Sequence, residues 1–216
     1  MNKKDRAKKI MNMLEDEFPH IEVPLKHNNV YTLLVAVLLS AQSTDKKVNK
    51  LTPKLFNKAS TPERMVELGT EKIYNYIKEL GLARTKSKHI FQLSKILVDK
   101  FNNQVPNDLK QLKSLPGVGH KTASVVMAQA FMVPTFPVDT HIHRLAQRWG
   151  LTSGKNVIVT ERDLKSIFPK SSWNKLHLQI IFYGRSFCTA RGCDGTVCKI
   201  CREIFPNRKS PIITKK

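Results

Sequence analysis

Hydrophobic positions recur along this chain at the three- and four-residue spacing of helices and almost nowhere in alternation. Between Ala7 and Phe18 the apolar residues Ile10, Met11, Leu14 and Phe18 share one helical face. Val30 to Ala41 is apolar nearly all round, which predicts a helix buried in the middle of the fold. Asp45 is placed to cap a helix carrying Val48, Leu51, Leu55 and Phe56. Thr61-Pro62-Glu63 is a helix start, with a cap, a first-turn proline and then an acid. Thr70 opens a further helix that Gly81 stops, and Ile90, Leu93, Leu97 and Phe101 mark one over 87–101. Asn107 or Asp108 starts a short helix ending at Pro116, and more helical segments follow Gly119, Val138, Thr160 and Ser171. There is no convincing run of alternating strand residues, no solenoid-period repeat and no low-complexity segment. The expected fold class is all-α, assembled from many short helices.

With 216 residues the chain allows one large domain or two small ones. No Gly/Ser linker divides it, but Met132-Val133-Pro134-Thr135-Phe136-Pro137 interrupts the helices with two prolines. That segment is a boundary between a central helical domain and a C-terminal one, and the N-terminal helix could pack with either.

Charge narrows the partners. Lys and Arg number 37 against 17 Asp and Glu, a formal +20. Such an excess points to a polyanion, because neutralising phosphates releases counterions. It does not separate DNA from RNA or an anionic membrane, and a lysine-rich composition without a partner gives the same count. Met1-Asn2-Lys3-Lys4-Asp5-Arg6 leads into a charged amphipathic stretch with no apolar core of a secretion signal. The most apolar run, Val30 to Leu39, is too short to span a bilayer. The expectation is a soluble cytoplasmic protein, monomeric by default, with no membrane partner. All four cysteines fall between Cys188 and Cys201. Thiols packed at one end of such a protein suit a metal or cluster site better than a disulfide framework.

The sharpest motif is Leu115-Pro116-Gly117-Val118-Gly119-His120-Lys121-Thr122-Ala123, with helices on both sides. Two glycines one residue apart let the backbone turn tightly and approach a ligand. The amides of Gly117, Val118, Gly119 and His120, with the N-terminus of the next helix, form an anion site that a phosphate fits. Such a hairpin grips a DNA backbone without reading bases. A bare Gly-x-Gly is more often an ordinary helix–helix turn, and the following His-Lys-Thr-Ala shifts the balance.

Leu115 to Ala123 resembles the helix-hairpin-helix of the endonuclease III family of DNA glycosylases. Leu39-Ser40-Ala41-Gln42-Ser43-Thr44-Asp45 resembles the family's segment after its buried helix. Val138-Asp139-Thr140-His141-Ile142-His143-Arg144 resembles its catalytic-aspartate segment. Gly81-Leu82 and the terminal cysteines also fall in place, so the resemblance covers essentially the whole chain. It implies a DNA groove between a central domain over 22–133 and a cluster-bearing domain made of 1–21 and 134–216. It implies a base excision repair enzyme acting on damaged double-stranded DNA. That enzyme removes oxidised or ring-saturated pyrimidines and then cuts the strand as an apurinic/apyrimidinic (AP) lyase.

The resemblance also assigns roles. Lys121 alone reads as a phosphate contact, and the family position makes it the nucleophilic amine. That amine must be neutral to attack, and a helix dipole is worth only on the order of 0.3–1 kcal/mol. The expectation is therefore a Lys121 partly withdrawn from water. Asp139 alone reads as a helix N-cap, and the resemblance adds catalysis, with Lys121 and Asp139 facing each other across the groove. A base in a duplex must be flipped out. Gln42 matches the residue that enters the duplex and Leu82 the apolar wedge; otherwise they read as a loop polar residue and a core leucine. His141 and Arg144 are expected to support the site or contact phosphate.

The family's cysteine pattern is Cys-x6-Cys-x2-Cys-x5-Cys, whereas this chain reads Cys188-x4-Cys193-x4-Cys198-x2-Cys201. A four-iron, four-sulfur cluster is the implied cofactor, and zinc is the alternative, since four thiolates satisfy both. Its role would be to brace a loop whose Arg185, Arg191, Lys199 and Arg202 meet DNA. Three other functions remain: a monofunctional mismatch glycosylase, a non-catalytic hairpin module, and an RNA binder relying on charge. Lys121 argues against the first, and Asp139 with Gln42 against the second.

Overall fold

A computed structural model describes residues 1–215. Among them every regular element is helical, and there is no strand. None of the helices is long and apolar enough to cross a membrane. The chain divides into two compact units, Val23–Val133 and Met1–Glu22 with Pro134–Lys216.

The first helix, α1 (Lys3–Glu17), belongs to the unit formed from both termini. It buries Ala7, Ile10 and Leu14, one stripe at helical spacing.

The unit Val23–Val133 is organised around α2 (Val30–Ser40). Every residue of this helix from Tyr31 to Leu39 is buried. Asn29 and Thr32 form a reciprocal capping box at its start. Around it lie α3 (Asp45–Lys58), α4 (Pro62–Ile77), α5 (Ala83–Phe101), α6 (Leu109–Ser114) and α7 (His120–Ala130). Helices α3, α5 and α7 pack directly on α2. Truncating one of its fully buried leucines to alanine costs about 2–5 kcal/mol in such a core.

In the other unit α1 packs with α8 (Thr140–Arg148), α9 (Val157–Ile167), α10 (Trp173–Ser186) and α11 (Lys199–Ile204) into a separate core. Trp149 and Phe136 are fully buried there. The Phe136 ring stacks on Phe168 at 6.2 Å and meets Trp173 edge-on at 6.4 Å.

Several boundaries differ from the sequence expectation. The N-cap of α3 is Thr44, with Asp45 in the first turn. Gly69, at φ 76° and ψ 158°, is non-helical and breaks the α4 span into two helical segments, the second opening at Thr70 as the sequence predicts. Helix α5 starts a turn early, after a left-handed Leu82. Asn156 caps α9, and Thr160 is buried inside it. Helix α11 carries no periodic signal long enough to announce it.

Candidate functional site

The hairpin is assembled from α6, a tight turn and α7. Asp108 caps α6 by accepting from the Gln111 amide at 2.7 Å. The Leu115 carbonyl then accepts from the Val118 amide at 3.1 Å, which closes the turn. Leu115 and Val118 are buried and pin it to the core. Gly117 has φ +76°, and a Cβ there would lie 2.7 Å from Nδ1 and 3.0 Å from Cβ of His89 on α5. Both the backbone and the neighbour therefore demand glycine. At Gly119 a Cβ would meet nothing within 4 Å and φ is −81°. No side chain caps α7, so its N-terminus presents backbone dipoles toward the exposed turn. The Val118 amide, expected to bind an anion, is engaged within the turn, and Val118 instead acts through its buried side chain.

Lys121 lies on the first turn of α7 and is exposed, as is His120. The partial withdrawal from water expected of Lys121 is not supplied by the protein. Asp139 is the N-cap of α8, and its Oδ1 accepts from the Ile142 amide at 2.9 Å. That cap uses one carboxylate oxygen and fixes the side chain at the head of the helix.

One turn inside α8, Arg144 is 9% exposed and its guanidinium points inward. It donates to the carbonyls of Gly184 at 2.8 Å and Cys188 at 3.0 Å. Of the two roles expected of Arg144, support of the site or a phosphate contact, these bonds are of the first kind: its NH2 group ties α8 to α10 and the first cysteine. His141 sits beside it, with Nδ1 3.3 Å from that group. Burial lowers the His141 pKa and outweighs the Asp139 carboxylate, which raises it, so neutral imidazole is favoured. That suits a supporting role better than a phosphate contact.

Gln42 and Leu82 are both exposed, and both are left-handed, at φ 53° and 58°. Positive φ is uncommon for side chains of this size and signals local strain. The two loops touch: a Cβ on Gly81 would lie 3.0 Å from the Gln42 carbonyl. Glycine at 81 lets these loops pass at backbone distance.

The four cysteines converge despite their spacing. All are buried, and their sulfurs lie within 4.8 Å of one another. Asp194 and Gly195 turn the chain between Cys193 and Cys198, with the Asp194 carboxylate accepting from the Thr196 amide at 2.9 Å. Hydrogen bonding among the sulfurs pulls Cys198 down toward thiolate and pushes Cys188 and Cys201 up. Four buried sulfur donors with competing protonation fit a bound cationic group, whose affinity rests on displacing those protons. Arg185, Arg191, Lys199 and Arg202 are exposed around this loop.

Residues 35–170 match the family model described as HhH-GPD superfamily base excision DNA repair protein. The endonuclease III of Treponema pallidum is 48% identical over 180 residues, 83% of this chain and 85% of that one. The chain belongs to the endonuclease III family. The Escherichia coli K12 member is 44% identical over 191 residues, covering 88% and 90% of the two chains. Among solved structures, a trapped endonuclease III–DNA covalent intermediate with an estranged adenine matches with a TM-score of 0.88 and 39% identity. The match covers 93% of this chain and 94% of that one.

Sequence reasoning missed residues whose importance lies in distant partners. His89 walls Gly117 from the middle of α5. Lys86, on the same helix, is buried with its ammonium among backbone carbonyls. Arg148 is buried beside the cysteines. A lysine or arginine in a highly basic chain carries no local mark that distinguishes an interior cation from the many on the surface.

Proposed function

We propose that this protein is a base excision repair glycosylase and AP lyase that removes oxidised or ring-saturated pyrimidines from double-stranded DNA, with Lys121 as nucleophile. The observation that carries this reading is the position of Lys121. It stands exposed on the first turn of an uncapped helix, directly after a glycine hairpin suited to a phosphate.

The hairpin holds the backbone beside the lesion, and DNA lying over it excludes water from Lys121. The lysine nitrogen attacks C1′ of the flipped nucleotide. The bond from C1′ to the base breaks, and the base leaves with the electron pair and takes up a proton. Asp139 stabilises the positive charge developing at C1′ and receives the proton from the attacking nitrogen. Sugar-ring opening leaves an imine between C1′ and Lys121. The imine acidifies the C2′ hydrogens, and loss of one breaks the C3′–O bond and cuts the strand. Water then hydrolyses the imine and restores the amine. Gln42 and Leu82 fill the space the flipped nucleotide leaves.

The four cysteines hold a four-iron, four-sulfur cluster in this reading, supported by the donor set and the family. Bound there, it braces the loop that carries Arg185, Arg191, Lys199 and Arg202 to DNA. The protein works as a monomer on the chromosome in the cytoplasm.

Borohydride trapping tests the mechanism. Wild type forms a covalent adduct with a thymine glycol duplex and with an abasic duplex, and Lys121→Ala forms neither. Strand cutting retained by Lys121→Ala would overturn the role of the lysine. Absence of any wild-type adduct would point to a monofunctional enzyme or a passive clamp.

A further inference from the structure

Lys86 is a buried cation that the proposed chemistry does not use. It is 4% exposed, on the second turn of α5. Its Nζ donates to the carbonyl of Leu39 at 2.8 Å, the carbonyl of Ala41 at 2.6 Å and Oγ of Ser43 at 3.1 Å. All three donor positions of the ammonium are accounted for by these acceptors. Burial lowers its pKa by disfavouring the charged form, and the three acceptors oppose that desolvation.

The acceptors explain why it stays. Leu39 is in the last turn of α2 and Ala41 is its C-cap, so their carbonyls are among the group a helix end leaves without intrahelical partners. The same end carries the negative pole of the helix. A cation suits that place, and it arrives from another helix.

The consequence lies between Ala41 and Ser43. Gln42 is the residue held between two of the acceptors, with its backbone left-handed and its side chain exposed. One turn before Lys86, its own amide donates to the carbonyl of Leu82 at 2.9 Å, and Leu82 is the other left-handed exposed residue. Gly81 meets the Gln42 carbonyl closely enough to exclude a side chain. Lys86 is therefore joined through its backbone to one strained residue and through its side chain to both neighbours of the other.

We propose that Lys86 is a positioning residue for base flipping, fixing Gln42 and Leu82 in the left-handed conformations from which they enter the duplex. The inference rests on the glycosylase reading above. Strained backbones persist only where their surroundings over-determine them, and Lys86 is the group that does so for both loops. Removing it lets Gln42 and Leu82 relax away from the duplex, while Lys121 and the hairpin are untouched.

The test compares a substrate that needs a wedge with one that does not. Lys86→Met keeps the length and burial of the side chain without the charge. It is expected to lose about 100-fold in excision of thymine glycol from a duplex, the cost typical of misplaced positioning groups. Cleavage of an abasic site in single-stranded DNA, and its borohydride adduct, should stay at the wild-type level. The fluorescence of a 2-aminopurine beside the lesion should lose the unstacking increase seen with wild type at saturating protein. Ser43→Ala, which removes one contact and leaves the lysine on two carbonyls, keeps the test open where Lys86→Met does not fold. It should show a smaller loss confined to the duplex. Equal losses on both substrates, or no loss on either, would overturn the proposal for Lys86 and leave the glycosylase reading standing. A wild-type protein that forms no adduct with either substrate refutes that reading and this proposal with it.

Discussion

Arg148 donates to the sulfur of Cys188 at 3.3 Å and to the carbonyl of the same residue at 3.2 Å. It also reaches the carbonyls of Thr189 at 2.8 Å and Ala190 at 3.4 Å. One side chain at the end of α8 thus holds the backbone that leads the first cysteine into the cluster of thiols. Arg148 is 3% exposed and Cys188 is fully buried, so the bonds between them are shielded from water.

Arg148→Met is expected to remove the donor from the buried Cys188 sulfur and from the Thr189 carbonyl, while the Cys188 carbonyl keeps Arg144. A buried acceptor left without its donor costs about 1–3 kcal/mol, and the loss of stability should fall in that range. Urea unfolding measures it. Metal analysis of the purified variant should show reduced occupancy, because the chain around Cys188 is no longer held. Chelation of the wild-type protein should move stability in the same direction, since a group that binds only the folded state stabilises it. Iron with inorganic sulfide in the wild type supports the cluster, and zinc alone replaces it.

Asp139 separates a structural role from a chemical one. Asparagine caps helices about as well as aspartate, so Asp139→Asn should leave thermal stability nearly unchanged. In the proposed mechanism it removes the charge that stabilises the reacting sugar, and single-turnover excision should fall by about 100-fold or more. Asp139→Ala should show the same catalytic loss and an added destabilisation of about 1 kcal/mol. Equal activity in Asp139→Asn and wild type would confine this residue to capping.

The two hairpin glycines should respond differently to alanine. Gly117→Ala forces a left-handed alanine, at about 1–2 kcal/mol, and drives its Cβ into the ring of His89. It should lower the melting temperature and weaken DNA binding together. Gly119→Ala meets no neighbour and has ordinary dihedrals, so it should fold normally. If the hairpin holds phosphate as proposed, its methyl group obstructs that contact, and DNA affinity at fixed salt should fall with stability intact.

His143 makes the folded state sensitive to acid. It is 3% exposed, its Nδ1 lies 2.8 Å from Oγ1 of Thr160, and Nε2 is buried without a partner. Burial lowers its pKa from 6.5. A depressed folded pKa means the unfolded chain binds the proton more readily. The full contribution of neutral His143 is present above pH 6.5 and is lost as pH falls through the lower folded pKa. Urea unfolding between pH 8 and pH 5 should show stability falling toward acid. His143→Gln should flatten that decline.

The local features of this fold are legible without coordinates because their causes are local. Thr61 with Pro62, Asp108, and Asp139 start helices through bonds to residues three positions on. The apolar run after Asn29 is buried because a helix without a polar face has no other stable place. The glycine hairpin follows from what a chain without Cβ can do. Even the family resemblance is a pattern along the chain.

What only the tertiary structure decided are the contacts made across long separations. Lys86 finds carbonyls more than forty residues away, and Arg148 finds Cys188 across forty. Nothing adjacent to either residue marks it as interior, since burial of a cation depends on acceptors that the fold brings to it. The sequence already groups the four cysteines as one site, and the structure adds the turn at Asp194 and Gly195 by which the irregular spacing closes. Sequence determined where helices begin, which face is apolar and where a backbone can turn. Packing decided which charges stand in solvent and which hold loops in place, because a side chain's protonation and partners follow from its surroundings.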